Sequence, residues 1–185
     1  MAFTKEKAAG SSCLVLDERQ RTIGFRMAFR LNEFLDLQST AKKFSDGMVI
    51  CRPILVAGAD HIKETLMQAN EYWVRNEELA RSRSMDLLMR ITCKEQISQA
   101  VASSGITSAD SIVLFGVTKD ESEIQRAVDL ILEAAVNAER DDGLLEMNRQ
   151  KFLFLKKFHA LPKWLNVDQV FVALKEKSVL LIFDN

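Results

Sequence analysis

The strongest candidate for ligand chemistry is a group of five cations between residues 75 and 94: Arg75, Arg81, Arg83, Arg90 and Lys94. Tyr72 and Trp73 stand beside this group, and Gln96 follows it with an amide that can hydrogen-bond the edge of a base. Guanidinium groups neutralise phosphates, and aromatic rings stack on unpaired bases. The pattern therefore predicts candidate contacts with single-stranded RNA.

The same stretch also has an interpretation that needs no RNA. Acidic residues are interleaved with the cations: Glu71, Glu77, Glu78, Asp86 and Glu95. Such mixing is typical of a solvated protein face with ion pairs. A second group of cations is interpreted as solubilising an apolar helix: Lys151, Lys156, Lys157 and Lys163. RNA contact and a solvated face both stay open at this point.

No motif in the sequence predicts a catalytic site. The seven glycines are scattered and form neither GxxxxGK nor GxGxxG, so a phosphate-binding loop is not indicated. His61 and His159 are the only histidines, no GxSxG elbow accompanies them, and we interpret both as surface or core-edge residues. We expect a protein that is not an enzyme and binds no cofactor.

Two further motifs have chemical and structural interpretations. Cys93 is predicted at the first position of a helix, where the helix dipole and Lys94 could lower the pKa of its thiol. No histidine lies near it in sequence to act as a base, so a packing role is the better interpretation. Asp141-Asp142 could bind a metal ion, but the following Gly143 favours a simple turn.

Composition predicts one globular domain of 185 residues, with 48% hydrophobic and 28% charged residues. We divide it into a polar lead-in or added strand at 1–20 and a single domain at 21–185. The net charge of -1 does not indicate a globally basic nucleic-acid binder. Three scattered cysteines, the lack of an apolar N-terminal segment and the lack of an apolar run of about 20 residues predict a cytoplasmic, membrane-free protein.

Strands are predicted from short apolar patterns. Ile23, Phe25, Met27 and Phe29 alternate with small or basic residues, which predicts a strand with one buried face. Asp46-Gly47 should turn the chain into a short strand, and Ile112 to Val117 should form a buried one.

Helices are predicted from three- and four-residue apolar spacing together with capping residues. Asp60 should cap a helix that runs to Arg75, and Ser84 a second one. Thr92–Glu95 and Thr118–Glu121 have the form of capping boxes. The first box should open a helix that buries Ile97, Ala100 and Val101 and ends at Gly105; a further helix is predicted within 32–43.

The C-terminal third is predicted to contain two helices, at 147–158 and 167–174, followed by a strand or docked tail at 179–183. The first helix is so apolar that it either lies in the core or exposes a patch for a partner. The predicted fold class is α+β, a single helix-rich domain with a small, mostly antiparallel sheet.

From Gly58 onward the order of features resembles the smallest regulatory subunit of the KEOPS complex, also described as its kinase-binding-protein family. The resemblance covers most of the chain and depends on these segments: Ala59-Asp60-His61-Ile62, Ser84-Met85-Asp86-Leu87-Leu88-Met89-Arg90-Ile91, Glu95-Gln96-Ile97, Ala100, Gly105-Ile106 and Leu174-Lys175-Glu176-Lys177-Ser178-Val179-Leu180-Leu181. Glu95 stands where the family often has Arg before Gln-Ile.

The resemblance implies a non-catalytic subunit that binds the kinase-like ATPase of the complex. In archaeal-type members it also implies capture of the single-stranded CCA end of tRNA. The complex then forms threonylcarbamoyladenosine at the adenosine beside the anticodon of that tRNA. An alternative also stays open: a regulatory subunit that contacts only proteins and never RNA. Glu95 and the interleaved acids favour this alternative.

Overall fold

A five-stranded antiparallel sheet lies at the centre of a computed structural model that describes residues 13–18, 21–31, 40–104, 111–135 and 138–181. Its strands are β1 (Cys13–Asp17), β2 (Thr22–Arg30), β3 (Met48–Cys51), β4 (Ser111–Thr118) and β5 (Glu139–Arg140). The spatial order is β1-β2-β4-β3, and β5 pairs with β2. β1 lies inside the predicted lead-in and is therefore the added strand that the sequence analysis allowed.

Both faces of the sheet are buried, which differs from the prediction of one buried face on β2. Phe25, Met27 and Phe29 pack on one side, in the core that also contains Ile124 and Ile131 of the helix after β4. Other helices pack on the opposite face of the sheet and bury it as well. Gly24 fits there since a side chain at this position would lie only 3.1 Å from both Leu16 and Leu66.

Six α-helices surround the sheet within the described ranges, which confirms a single helix-rich α+β fold. They are α1 (Ala59–Arg75), α2 (Arg83–Thr92), α3 (Ile97–Ser104), α4 (Glu121–Ala134), α5 (Arg149–Phe158) and α6 (Val167–Leu180). α4 covers one face of the sheet, and α1 and α2 cover the other. α5 and α6 enclose a third small core through Leu155, Val170 and Leu174.

The predicted bodies of the helices are confirmed, and the last helix begins at Val167 as predicted, but the predicted first residues of several other helices are not confirmed. α1 follows Gly58 rather than Asp60, and α2 is capped by the side chain of Ser82, not by Ser84. α4 is capped by Asp120, which accepts a hydrogen bond from the backbone N–H of Ser122. Side chains one or two positions apart compete for the same N–H groups, and contacts from elsewhere in the fold decide between them.

The predicted capping box at Thr92 is wrong. Thr92 ends α2, and its hydroxyl donates to the carbonyl of Leu88 at 2.6 Å, a local bond that replaces capping. Cys93 takes the left-handed conformation with φ of 48°, and α3 begins only at Ile97. Of the three residues predicted to be buried in α3, only Ala100 is; Ile97 and Val101 are exposed.

Several predictions concern the C-terminal third or fall outside the described residues. α6 continues to Leu180, so the start of the predicted terminal strand is helical. The two alternatives for α5 were a place in the core and an exposed apolar patch, and each applies to one side of the helix. Leu155 is fully buried, whereas Leu153 is 56% exposed. Most of the helix predicted at 32–43, the cap at Gly105 and residues 182–185 lie outside the described ranges. No helix in the described part combines the length and apolar character needed to span a membrane.

Candidate nucleic-acid interface

Three of the six predicted contact residues come together where α1 ends and α2 begins. Arg75 is the last residue of α1, its side chain is 53% exposed, and it pairs with Glu71. The guanidinium of Arg75 also lies 5.9 Å from the centre of the Tyr72 ring. Arg81 is exposed in the connecting loop, and Arg83 opens α2. These residues place three exposed guanidinium groups on one short stretch of surface.

Arg83 is held against an aromatic ring. Its guanidinium carbon lies 4.9 Å from the centre of the Trp73 ring, which is itself 6% exposed. A cation over an indole face is a favourable contact that restricts the rotamers of the arginine. Arg83 is exposed although its ring partner is buried. The guanidinium is therefore oriented before any ligand arrives.

Asp46 fixes the start of α2 from the other side of the fold. Its carboxylate accepts hydrogen bonds from the Ser82 hydroxyl at 2.8 Å and from the backbone N–H groups of Arg83 and Ser84 at 3.2 and 3.1 Å. Partial burial raises the pKa of Asp46, but these hydrogen bonds outweigh it and hold the pKa below its ordinary value. Ser84 in turn accepts a hydrogen bond from Gly47 N at 2.9 Å. The loop that carries the arginines is thus anchored at its end.

Arg90 is buried, which differs from the exposed position that a predicted RNA contact requires. Its side chain is completely buried, because it packs 4.9 Å beneath the ring of Tyr72 between α1 and α2. Its Nε donates to Asp86, whose other oxygen accepts the backbone N–H of Leu79 at 2.8 Å. Its two terminal nitrogens have no hydrogen-bond partner among the described residues. Arg90 therefore acts as an internal cation that ties the α1–α2 loop to α2.

Lys94 and Gln96 lie at the opposite end of α2. A helix of ten residues is about 15 Å long, so α2 separates these two residues from Arg83 by roughly that distance. The ammonium of Lys94 lies 4.6 Å from the ring centre of Phe158, at the end of α5. Gln96 is exposed. The predicted residues therefore form two groups, one at each end of α2, each beside an aromatic ring.

The interleaved acids do not neutralise this surface uniformly. Glu71 forms an ion pair with Arg75, and Asp86 forms one with the buried Arg90. The other three are exposed: Glu77, Glu78 and Glu95. The arrangement can contact phosphates through Arg81 and Arg83, while Glu95 opposes an anion at the Lys94 end.

Cys93 lies in a setting opposite to that of an activated thiol. It follows the C-terminus of α2, where the helix dipole disfavours a thiolate. Burial raises its pKa to about 12, although Lys177 and Lys94 act in the other direction. Its Sγ lies 3.5 Å from the carbonyl oxygen of Arg90 and 3.6 Å from that of Leu174. The prediction that it begins a helix is wrong, and its geometry is that of a packing residue.

The two histidines are deeper than the sequence indicated. His61 is 2% exposed, and its Nδ1 accepts the backbone N–H of Ala57 at 3.1 Å. Burial lowers its pKa to about 4. His159 is 4% exposed, and burial, aided by nearby His61, Lys177 and Lys94, lowers its pKa to about 3. Both rings are therefore uncharged parts of the interior near neutral pH.

The acidic turn is occupied by ion pairs. Asp141 pairs with Arg30 at 2.7 Å, and Asp142 with Arg140 at 2.6 Å. Asp141 also caps the short 3-10 helix Asp142–Leu145, as the turn interpretation expects. Among the described residues, no group of three or more histidine, cysteine or acidic side chains could hold a metal ion.

One exposed aromatic residue was not predicted from the sequence. Trp164 lies between α5 and α6 and is 75% exposed. Its neighbours Pro162 and Lys163 mark a loop, but nothing in the local pattern distinguishes a buried indole from an exposed one.

Neither a protein-family model nor a curated protein matches this chain.

Proposed function

We propose that this chain is a non-catalytic, cytoplasmic subunit of a KEOPS-type assembly that binds the kinase-like ATPase and recruits tRNA by its 3' CCA end for threonylcarbamoyladenosine formation. One observation carries the RNA part of the proposal: exposed Arg75, Arg81 and Arg83 lie at the end of α1, on the connecting loop and at the start of α2, beside aromatic rings. We call residues 75–83 the arginine loop. The identity of the assembly comes from the sequence resemblance alone.

The bracing matters because ordering flexible side chains on binding costs conformational entropy. Asp46 holds the first residues of α2, and Trp73 holds the guanidinium of Arg83. Arginine on a rigid support can bind phosphate through two parallel hydrogen bonds. This geometry suits an unpaired RNA end, since its phosphates are accessible and its bases are free to stack.

The first test is binding of the chain to full-length tRNA and to the same tRNA without its CCA end, across a salt series. The proposal expects binding that requires the CCA end and weakens with salt, since each phosphate contact releases counterions. Replacing Arg81 and Arg83 by Ala should reduce the slope of log affinity against log salt by about 1.4, at about 0.7 for each lost contact on a single strand.

The matched control is Arg126→Ala. Arg126 is an exposed arginine on α4, on the opposite side of the sheet from α1 and α2. Its removal should leave the slope unchanged. If the double variant at Arg81 and Arg83 behaves like this control, the arginine loop is not the RNA contact.

A groove between β1, α1 and α6 favours the second candidate, a subunit that contacts only proteins. The groove has a volume of about 650 Å³, and Leu16, Met67, Val74 and Val179 contribute apolar lining. Met67 and Val74 are 46% and 53% exposed, and apolar side chains of this kind mark protein contacts when they cluster. This candidate predicts ATPase binding with weak salt dependence and no tRNA binding.

Charged substitutions in the groove separate the two candidates. Met67→Glu should weaken ATPase capture if the groove is the protein contact, and it should leave tRNA binding unchanged if RNA uses the arginine loop. Loss of ATPase binding in a chain that binds no tRNA would favour the protein-only subunit. CCA-dependent binding by the chain alone would contradict it.

A further inference from the structure

Trp164 has the largest exposed fraction of any large apolar side chain among the described residues, at 75%. Indole groups are usually buried or used at an interface, because they combine a large apolar face with one polar N–H. Leu153 and Val167, on the two flanking helices, are also 56% and 45% exposed. Within the described ranges, the connection between α5 and α6 therefore leaves an exposed indole flanked by exposed apolar side chains.

This connection is firmly held. The Lys156 ammonium donates to the carbonyl oxygens of Lys163 and Leu165 at 2.5 and 2.9 Å. The backbone N–H of Leu161 donates to Lys156 O at 2.8 Å, and Leu165 itself is buried. Asn166 and Gln169 complete a reciprocal capping box at the start of α6. Trp164 therefore projects from a structure that is fixed on both sides.

The charge around the loop favours a polyanion as its partner. From Met147 to Val167 the sequence has no acidic residue and five cations: Arg149, Lys151, Lys156, Lys157 and Lys163. Two of these serve the fold, since Lys151 donates to the carbonyl of Leu144 and Lys156 braces the loop. The other three are exposed. An exposed indole among exposed cations matches the surfaces that bind single-stranded nucleic acid.

The loop also adjoins one end of the candidate interface. Lys94 lies over Phe158, the last residue of α5, so it contacts the point at which the loop begins. Lys177 of α6 donates to the carbonyl of His159 at 3.0 Å and adds a further cation on this side. The α5–α6 loop therefore begins beside the Lys94 end of α2.

We propose that Trp164 is a stacking platform for an unpaired RNA base, and that Lys157 and Lys163 neutralise the phosphates beside it. This proposal rests on the proposed function and extends its RNA contact from the arginine loop to the far side of α2. Base stacking tolerates any sequence, so the platform should add affinity without selecting a particular base.

The test uses intrinsic fluorescence and a labelled single-stranded RNA oligonucleotide that ends in CCA. The chain has two tryptophans, of which Trp73 is 6% exposed and Trp164 is 75% exposed. RNA should quench the fluorescence of the unsubstituted chain. Trp164→Phe should remove most of this quenching, leaving only any response of Trp73 beside Arg83. It should retain most of the affinity, measured by anisotropy of the RNA, because a phenyl ring still stacks.

Trp164→Ala should weaken RNA binding by roughly 5- to 150-fold, the range for loss of one stacked base. The thermal midpoint should be unchanged, since the indole makes little contact with the fold. Val15→Ala, at a 61% exposed apolar residue of β1, is the control and should change nothing.

The outcomes separate this proposal from the one on which it rests. If full-length tRNA binds in a CCA-dependent manner but Trp164→Ala binds equally well, the platform is refuted and the proposed function stands. If the unsubstituted chain binds neither tRNA nor the oligonucleotide, both are refuted. If Trp164→Ala weakens ATPase binding and leaves RNA binding intact, the loop is a protein contact and the stacking proposal is overturned.

Discussion

Removal of the Asp86 carboxylate should be the most damaging single change near the candidate interface. Asp86 and Arg90 form an ion pair in which both side chains are completely buried. Asp86 is the acceptor for the Nε of Arg90 and for the backbone N–H of Leu79. Asp86→Ala leaves a buried guanidinium without a counter-charge and an amide without an acceptor. It also releases the loop that carries Arg81.

The magnitude follows from the burial. Breaking a fully buried ion pair by removing one partner costs about 3–5 kcal/mol, because the remaining charge is desolvated without compensation. A typical domain has only about 5–15 kcal/mol of unfolding free energy in total, so the variant should be close to unfolding. The exposed pair Glu71–Arg75 has the same four-residue spacing, and exposed helical pairs of this kind contribute only about 0.3–0.5 kcal/mol.

The assay is urea unfolding followed by far-UV circular dichroism. Asp86→Ala should lower the unfolding free energy by about 3–5 kcal/mol, whereas the matched control Glu71→Ala should lower it by less than about 1 kcal/mol. The double replacement of Asp86 by Leu and Arg90 by Met should recover the part of the loss that comes from the unpaired charge, although the backbone N–H of Leu79 still loses its acceptor. A loss below about 1 kcal/mol for Asp86→Ala would refute the account of Arg90 as a buried, compensated cation.

Three other measurements test separate parts of the structure. Glu95→Arg should strengthen RNA binding roughly fivefold at 0.1 M salt, from one added contact with a slope of about 0.7, and unchanged binding would exclude this position from the interface. Because His61 and His159 have native pKa values of about 4 and 3, the unfolded chain binds more protons below pH about 6.5. The free energy of unfolding should therefore fall as pH drops from 6.5 toward 4, by up to about 1.4 kcal/mol per pH unit for each histidine. In urea titrations, His159→Phe should halve this dependence of the unfolding free energy on pH. Under native conditions a thiol reagent should modify exposed Cys13 faster than half-buried Cys93, because burial raises the pKa of the Cys93 thiol to about 12, and an equal rate at Cys93 would contradict this.

Periodicity predicted the bodies of the elements, and tertiary contacts set their ends. The apolar stripe from Ile62 to Trp73 was sufficient to predict α1 to its last residue. The start of α2 was not predictable from local sequence, because the choice between Ser82 and Ser84 is made by Asp46 and Gly47, which lie far away in the chain. Local patterns cannot identify such a remote partner.

The candidate site was predicted in part for the same reason. The cations were visible in the sequence, but the depth of each one depends on how helices pack. Arg90 carries an acidic residue four positions earlier, and this spacing is equally common on exposed helix faces. Only the packing of Tyr72 over its guanidinium shows that it is internal. The resemblance to the KEOPS subunit stays a prediction.

The cap that Asp46 provides for α2 has a consequence for how the domain folds. Asp46 and Ser82 are 36 residues apart, so their contact forms only after a long loop has closed and the turn before β3 is in place. Non-local contacts of this kind slow folding and are made late relative to helices. The anchored start of α2 should therefore be absent from early folding species, and an isolated α1–α2 peptide should lack this anchor even if both helices form.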